Sequence, residues 1–347
     1  MRLKHMLIAR ALETALALQR LKVMTAARGR GIIFTLHQVR AYDTPAPDPN
    51  RHLEISPRFL DSALRALWRD GYRFVRLEDV PALLSTPSDG RPFAAFTLDD
   101  GYRNSQTVAL PVFERFDAPV TLFVCKGFTE RTHTMWWETL AELLRKVERL
   151  EFPLGGRLQT IPTVTPAQKE RAFRQIARDL SSRREAEAIT ALNTLALAHG
   201  LDAAKALDRA MMTAEELKTF AGHPLVSLGA HGVSHRGLTF LDDASLTQEL
   251  ADSAAYVEGL TGKRPESFAY PYGDGRSVDA RTARLVAEAG FKLAVTTRPG
   301  TLQESHGSSL LELPRVSLNG HFQNPAYVSA LASGIPFALA RPMLSGA

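Results

Sequence analysis

The sequence predicts an α/β fold: short parallel strands in a sheet or barrel, interrupted by a helical insertion. Three observations predict it. From Gly31 onward, eight short apolar segments alternate with helical stretches, the rhythm of strands joined by helical crossovers. Four of the segments end in clusters of polar residues. In a parallel barrel those ends share one face, where active sites are built. Residues 130–221 then break the rhythm, because about 90 residues is too long for one ordinary crossover.

Composition bounds the rest. The chain has 347 residues, 45 % of them apolar and 23 % charged. That allows one large domain or two ordinary ones, and excludes disorder, collagen or coiled coil as whole-chain descriptions. The single cysteine, Cys125, rules out an internal disulfide and a cysteine-rich metal site, and fits a reducing compartment. It follows an apolar strand and reads as core, not nucleophile. No internal repeat is visible.

The N-terminal arm comes first. Residues 1–26 lack Pro and Gly and are rich in Leu and Ala, which predicts a helix. Residues 1–30 hold seven basic side chains and one acid, Glu13, so the arm is +6 and residues 31–347 are −1. A nucleic-acid-binding body is therefore not expected. Arg10 and Glu13 interrupt the apolar stretch that a secretory signal needs. No run approaches the roughly 18 apolar residues of a transmembrane helix; Val316–Ala340 comes nearest and is broken by Asn324-Pro325 and Gly334-Ile335-Pro336. The expected location is cytoplasmic, or peripheral at the cytoplasmic membrane face. The helix either packs on the body or lies as a basic helix on an anionic membrane surface. The expected division is 1–30 as a basic helix and 31–347 as the barrel, with the insertion at about 130–221.

Expected strands are Gly31–Leu36, Arg73–Leu77, Phe93–Leu98, Val120–Val124, Val226–Leu228, Ser267–Tyr270, Lys292–Thr296 and Leu313–Leu318. Expected helices between them are Pro57–Asp70, Ser105–Arg115, Ser245–Thr261 (ended by Gly262) and Asp279–Gly290. The insertion reads as mostly helical: Trp136–Leu150, Pro166–Arg184, Glu185–His199 and Thr213–Ala221.

The four polar strand ends carry the chemistry. Phe93–Leu98 runs into Asp99-Asp100-Gly101. Adjacent carboxylates repel unless a cation or proton relieves them; the structural alternative is helix capping by Asp100 or Asn104. Val226–Leu228 leads to His231 and, four residues on, His235, a spacing used for divalent metals. Asp100, His231 and His235 would supply one oxygen and two nitrogens, a set that suits Zn²⁺ and admits Co²⁺, Ni²⁺ or Mn²⁺. Ser267–Tyr270 enters the rigid turn Tyr270-Pro271-Tyr272-Gly273, either a plain turn with an aromatic plug or a source of oxyanion-binding N–H groups. Gly31–Leu36 ends at His37. Trp136-Trp137 is either a sugar-stacking platform or packing. His133, His199, His223, His306 and His321 have no spacing that compels a role.

At these residues the sequence resembles the polysaccharide deacetylase family (the NodB homology domain). Thr97-Leu98-Asp99-Asp100-Gly101-Tyr102 is similar to its first motif, His231-Gly232-Val233-Ser234-His235 to its second, and Tyr270-Pro271-Tyr272-Gly273 to its third. The resemblance runs from Gly31 to about Gly334. It implies a distorted (β/α) TIM-like barrel that removes acetyl groups from N-acetylated sugars of a polysaccharide, oligosaccharide or glycolipid. It implies Asp99 as general base, Asp100, His231 and His235 as metal ligands, and the backbone of Tyr272 at the oxyanion; Tyr270, Pro271, Trp136 and Trp137 are expected about the substrate. The chain departs from the pattern twice: Ala269 stands where the third motif usually has Arg, and Leu313–Leu318 lacks the late His that supplies the acid. Thr35-Leu36-His37-Gln38-Val39 resembles the branch acting on biofilm-type polysaccharides, whose acid lies at the N-terminal strand. His37 is thus expected as the acid and Arg315 as the group orienting Asp99; the structural alternative for His37 is a partly buried histidine hydrogen-bonded to backbone. A deacylase of a non-sugar C–N bond, or a non-catalytic glycan-binding scaffold with a vestigial site, are the competing classes.

Overall fold

Apolar side chains on consecutive residues suit a strand buried on both faces, as parallel strands are. All six residues of β1 (Gly31–Leu36) are buried, and β5 (Phe93–Leu98) repeats this. The computed structural model describes residues 2–41, 48–182 and 184–344. Met1 of the expected 1–26 helix, Arg183 of the expected Pro166–Arg184 helix, and residues 42–47 and 345–347 of the expected 31–347 domain lie outside them. Between β1 and β5 come the two-residue strands β2 (Gln38–Val39), β3 (Glu54–Ile55) and β4 (Arg73–Phe74). After β5 come β6 (Val120–Val124), β7 (Arg149–Leu154), β8 (Arg157–Pro162), β9 (Val226–Ala230), β10 (Ser267–Ala269), β11 (Leu293–Val295) and β12 (Val316–Ser317).

The main sheet is parallel, in the order β11-β10-β9-β6-β5-β1-β12, with β4 beside the start of β5. Its two edges meet through one stretch of chain. Leu313 pairs with Val295 of β11, and three residues later Val316 pairs with Phe34 of β1. The segment 313–317 thus closes the ring into the distorted (β/α) barrel.

Side chains alternate across a strand, and the alternation sorts them. Ile32, Phe34, Leu36, Ala94 and Phe96 pack outward with Leu60, Leu64 and Leu67, which come from the amphipathic helix Pro57–Arg69, capped by Ser56. Ile33, Phe93, Ala95, Phe123, Ala269, Leu293, Val295 and Leu313 form a separate inner plug. The strand residues of this inner cluster are odd-numbered, and the same parity continues upward through Thr35, His37, Thr97, Asp99, His231 and Arg315. The residues singled out for chemistry therefore stand above an apolar floor.

The insertion has its own core, with Leu140, Leu143, Phe152, Ile176 and Leu192, and this core continues into Tyr102, Cys125 and Phe128 of the barrel top. It contains a feature the mostly helical reading missed. The first helix is Trp136–Lys146 and does not reach Leu150. The chain there enters an antiparallel hairpin, β7 with β8. Gly155 and Gly156 supply its turn with φ of 58° and 79°, the left-handed pair that two-residue hairpins require. A further helix, Ala203–Ala210, is also added. In the barrel, Ser105–Arg115 forms a π-helical stretch over Ser105–Ala109 before α-helix resumes at Leu110–Glu114. Asn104 makes no cap there; its Oδ1 accepts from the Val39 N–H.

The N-terminal helix spans Arg2–Arg20. It buries Leu12 and Ala15 against Ala330 and Ile335, on the helices Pro325–Ala332 and Ile335–Leu344. Its other side leaves Leu7 60 % exposed, and Leu21 just beyond it 72 %. Among the described residues no helix is long and apolar enough to cross a membrane.

Candidate active site

Asp99 and Asp100 share one chain end but not one environment. Asp99 continues the inward parity of β5. Asp100 would point the other way, but left-handed backbone at Asp100 (φ 77°) and Gly101 (φ 100°) reverses the chain and brings both to one cavity. Asp tolerates that conformation better than most residues.

Arg315 clamps Asp99. Its Nη1 donates to Oδ1 at 2.7 Å and its Nη2 to Oδ2 at 2.8 Å. Arg315 is itself fixed by Nη1 to Thr97 Oγ1 at 3.0 Å and Nε to the Thr296 carbonyl at 2.9 Å. Both partners are nearly inaccessible, at 1 % for Arg315 and 2 % for Asp99. Burial opposes ionisation, but the guanidinium outweighs it and holds the Asp99 carboxyl below its usual value. Arg315 thus stands behind Asp99, not in the cavity.

Asp100 faces the histidines instead. His231 Nε2 lies 3.4 Å and His235 Nε2 3.3 Å from its Oδ1. Burial works against its charge, yet the two imidazoles hold its carboxyl well below the carboxylate range. The His231 Nδ1 pairs with the Ala269 carbonyl at 2.7 Å. A carbonyl there makes Nδ1 the donor, so that in the neutral ring Nε2 is the atom left to take a cation. Ala269, where the third-motif resemblance leads to an expectation of Arg, thus contributes its backbone. His235 is placed by a loop that Glu249 gathers, its Oε2 accepting from the Val233 and Ser234 N–H groups at 2.7 and 3.1 Å. Gly127 lets that loop lie close, since a Cβ there would meet the Val233 carbonyl at 2.3 Å.

Whether these residues suit a cation can be read from their unsatisfied atoms. Both Asp100 oxygens are buried without a hydrogen bond, an arrangement costly for a carboxylate left alone. One ligand atom from each of Asp100, His231 and His235 lies within 4.8 Å of the others. One carboxylate oxygen and two imidazole nitrogens fit a divalent cation of the zinc type.

The cavity above holds about 450 Å³. Thr35, His37, Asp99, Asp100, His231, His235, Tyr270 and Tyr272 line it from the barrel. Trp136, Trp137, Phe173, Ala177 and Ser181 line it from the insertion, and His52 and Leu53 from the loop after β2. Burial lowers the His37 imidazole below its ordinary value, partly offset by Asp100 and Asp99. Trp136 and Trp137 are 7 % and 6 % exposed. Their indole N–H groups donate to the hydroxyls of Tyr272 at 2.9 Å and Tyr102 at 3.2 Å, so they form a fixed wall. Tyr270 is buried and donates its hydroxyl to the Leu311 carbonyl at 2.9 Å. Pro271 is buried outside the cavity lining, beneath the Gly232 turn. Tyr272 has φ of 60°, its carbonyl accepts from Thr297 Oγ1 at 2.7 Å, and its N–H has no acceptor among the described residues.

Sequence reasoning missed Thr97, Thr296, His52, Phe173 and Glu249. Thr97 follows the inward parity and was findable by it; Thr296 contributes its backbone carbonyl, which no side-chain pattern marks. The others come from segments whose placement over the barrel no local pattern announces.

Comparisons with known proteins converge. The family profile described as polysaccharide deacetylase matches residues 87–294. A putative polysaccharide deacetylase of Bacillus subtilis (strain 168), YxkH, is 27 % identical over 106 residues, or 30 % of this chain and 37 % of that protein. The match thus spans little more than a third of that relative's length. Among solved structures, Streptococcus pyogenes deacetylase PplD, in complex with acetate, superposes with a TM-score of 0.57 at 20 % identity. That alignment covers 86 % of this chain and 96 % of the other. IcaB from Ammonifex degensii gives 0.54 at 17 %, covering 89 % and 97 %. These two likenesses establish the fold, and the profile covers more than half of the sequence, including all three strand-end motifs: this chain belongs to the polysaccharide deacetylase family.

Proposed function

We propose that the chain hydrolyses the acetamide of N-acetylhexosamine units in a glycan or glycolipid, with a divalent cation held by Asp100, His231 and His235. The observation that carries this reading is the division of labour between two adjacent buried carboxylates. Asp99 is clamped by Arg315, and Asp100 keeps two unsatisfied oxygens beside two imidazoles.

When bound, the cation supplies Lewis acidity, polarising the amide carbonyl and lowering the pKa of the attacking water toward about 7. The Asp99 carboxylate, ionised and oriented by Arg315, accepts the proton of that water as it attacks. The Tyr272 N–H donates to the oxygen on which negative charge develops. His37 delivers a proton to the departing sugar nitrogen, so that it leaves as an amine. The tryptophan wall shields these transfers from bulk water. Trp136, Trp137 and Tyr270 bound the substrate on the insertion and third-motif sides.

The test couples metal analysis to acetate release from a panel of N-acetylated glycans. Stoichiometric metal and acetate release abolished by chelation support the reading. Acetate release from small amides but from no glycan would replace it with a deacylase of non-sugar C–N bonds. The N-terminal basic helix, with its exposed Leu7 beside Arg10, would hold the enzyme at the cytoplasmic face of a membrane.

A further inference from the structure

The insertion is not only a wall. Glu185 opens its helix Glu185–Ala198 and is 1 % exposed, a costly place for a carboxylate without a task. Its Oε1 accepts from the Tyr272 hydroxyl at 2.6 Å. That hydroxyl in turn accepts from the Trp136 indole at 2.9 Å. Its Oε2 is buried without a hydrogen bond, and Arg236, the residue after His235, brings Nε to 3.8 Å from it. One carboxylate of the insertion thus reaches toward two strand-end loops, the one carrying Tyr272 and the one carrying His235.

Tyr272 needs such a brace. Left-handed backbone is unfavourable for a residue with a Cβ, by roughly 1–2 kcal/mol, and persists where the surroundings over-determine it. The Thr297 hydroxyl holds the carbonyl of Tyr272, and the Thr297 N–H holds Gly273 at 2.9 Å. Those bonds fix the C-terminal side of the residue. The Gly273 N–H donates to the Pro271 carbonyl at 2.7 Å, which orients the peptide carrying the Tyr272 N–H, and the phenol, anchored to the insertion, ties that unit to the opposite wall of the cavity.

We propose that Glu185 is a positioning residue: through the Tyr272 hydroxyl it holds the third-motif backbone so that the Tyr272 N–H faces the reacting oxygen. This rests on the deacetylase reading for its consequence, but not for its geometry. Burial raises the Glu185 carboxyl to about 7. The brace survives this, since both the ionised and the neutral carboxyl can accept from a phenol.

The test uses the full-length protein loaded with metal and two readouts. In protein labelled with ¹⁵N-tyrosine, which has only seven such residues, Glu185→Ala should shift or broaden the Tyr272 amide resonance and leave the tyrosines distant from the insertion in place. Glu185→Gln, whose amide oxygen still accepts, should restore it. In turnover, Glu185→Ala and Tyr272→Phe should each lower kcat by roughly tenfold or more, as for a misplaced oxyanion donor. KM should stay within about twofold and metal stoichiometry should be unchanged. The double variant should be no worse than either single one, because the two groups act as a unit. A Tyr272 amide unmoved in Glu185→Ala, or multiplicative losses in the double variant, would overturn the brace. Absence of acetate release by the unmodified protein would overturn the deacetylase reading alone and leave the resonance experiment to decide the brace.

Discussion

Asp99 and Asp100 are neighbours with opposite partners, and the partners set what each can do. Replacing Asp99 by Asn keeps the shape and removes the proton acceptor; acetate release should fall by about 10²–10⁴, with metal stoichiometry retained. Removing Arg315 is a different injury. Arg315→Met leaves a buried carboxylate unpaired, a loss of about 3–5 kcal/mol, so both the melting temperature and kcat should drop. Arg315→Lys should recover little, since one ammonium cannot make the paired contacts to Asp99. His37→Ala should cut turnover strongly while metal content stays; near-normal turnover would remove His37 from the reaction. At this scale the motif residues were legible, because type, spacing, position at strand ends and the resemblance to family motifs together mark Asp99, Asp100, His231 and His235. The clamp was legible only as a substitution for the Arg missing at Ala269. The brace on Tyr272 was not legible, because nothing in the residues around Glu185 distinguishes it from a solvated helix N-terminus.

At the scale of elements, the apolar runs of the sheet declared themselves, since strands buried on both faces leave continuous hydrophobic segments. The hairpin β7–β8 was written in the sequence by Gly155-Gly156 between alternating residues, but the surrounding helical pattern masked it. The insertion also carries a pH dependence. Burial raises both Glu138 and Glu185 to about 7 in the folded protein. Unfolded, both titrate near 4.5. A raised carboxyl stabilises the fold below its unfolded value, and that contribution is lost as pH rises through the folded value. Each shift corresponds to a few kcal/mol between those limits. The melting temperature should therefore decline between pH 5 and 8 by more than it does in Glu185→Gln. Parallel curves for the two proteins would show that Glu185 does not titrate in this range.

On the scale of the whole molecule, the charge is set apart from the chemistry. The +6 arm is packed at the far ends of the chain's path, on the helices Pro325–Ala332 and Ile335–Leu344. His5 nonetheless sits against His321, their ring centroids 4.3 Å apart, on the loop that leaves β12 toward the cavity side. Leu7→Glu with Leu21→Glu spares the packed side of the helix. The unmodified protein should co-sediment with phosphatidylglycerol-rich vesicles and this variant should not. If the unmodified protein stays in the supernatant, the helix has a packing role only.

The closing segment of the barrel also sets a timetable. Arg315 follows Asp99 by 216 residues. At roughly 5–20 residues per second on the ribosome, the carboxylate waits on the order of ten to forty seconds for its guanidinium. Until then the sheet has two open edges and Asp99 is unclamped; the surface for the N-terminal helix comes later still, with residues 325–344. The clamp on Asp99 and the closure of the barrel therefore come late and together, when the stretch around Arg315 joins β11 to β1.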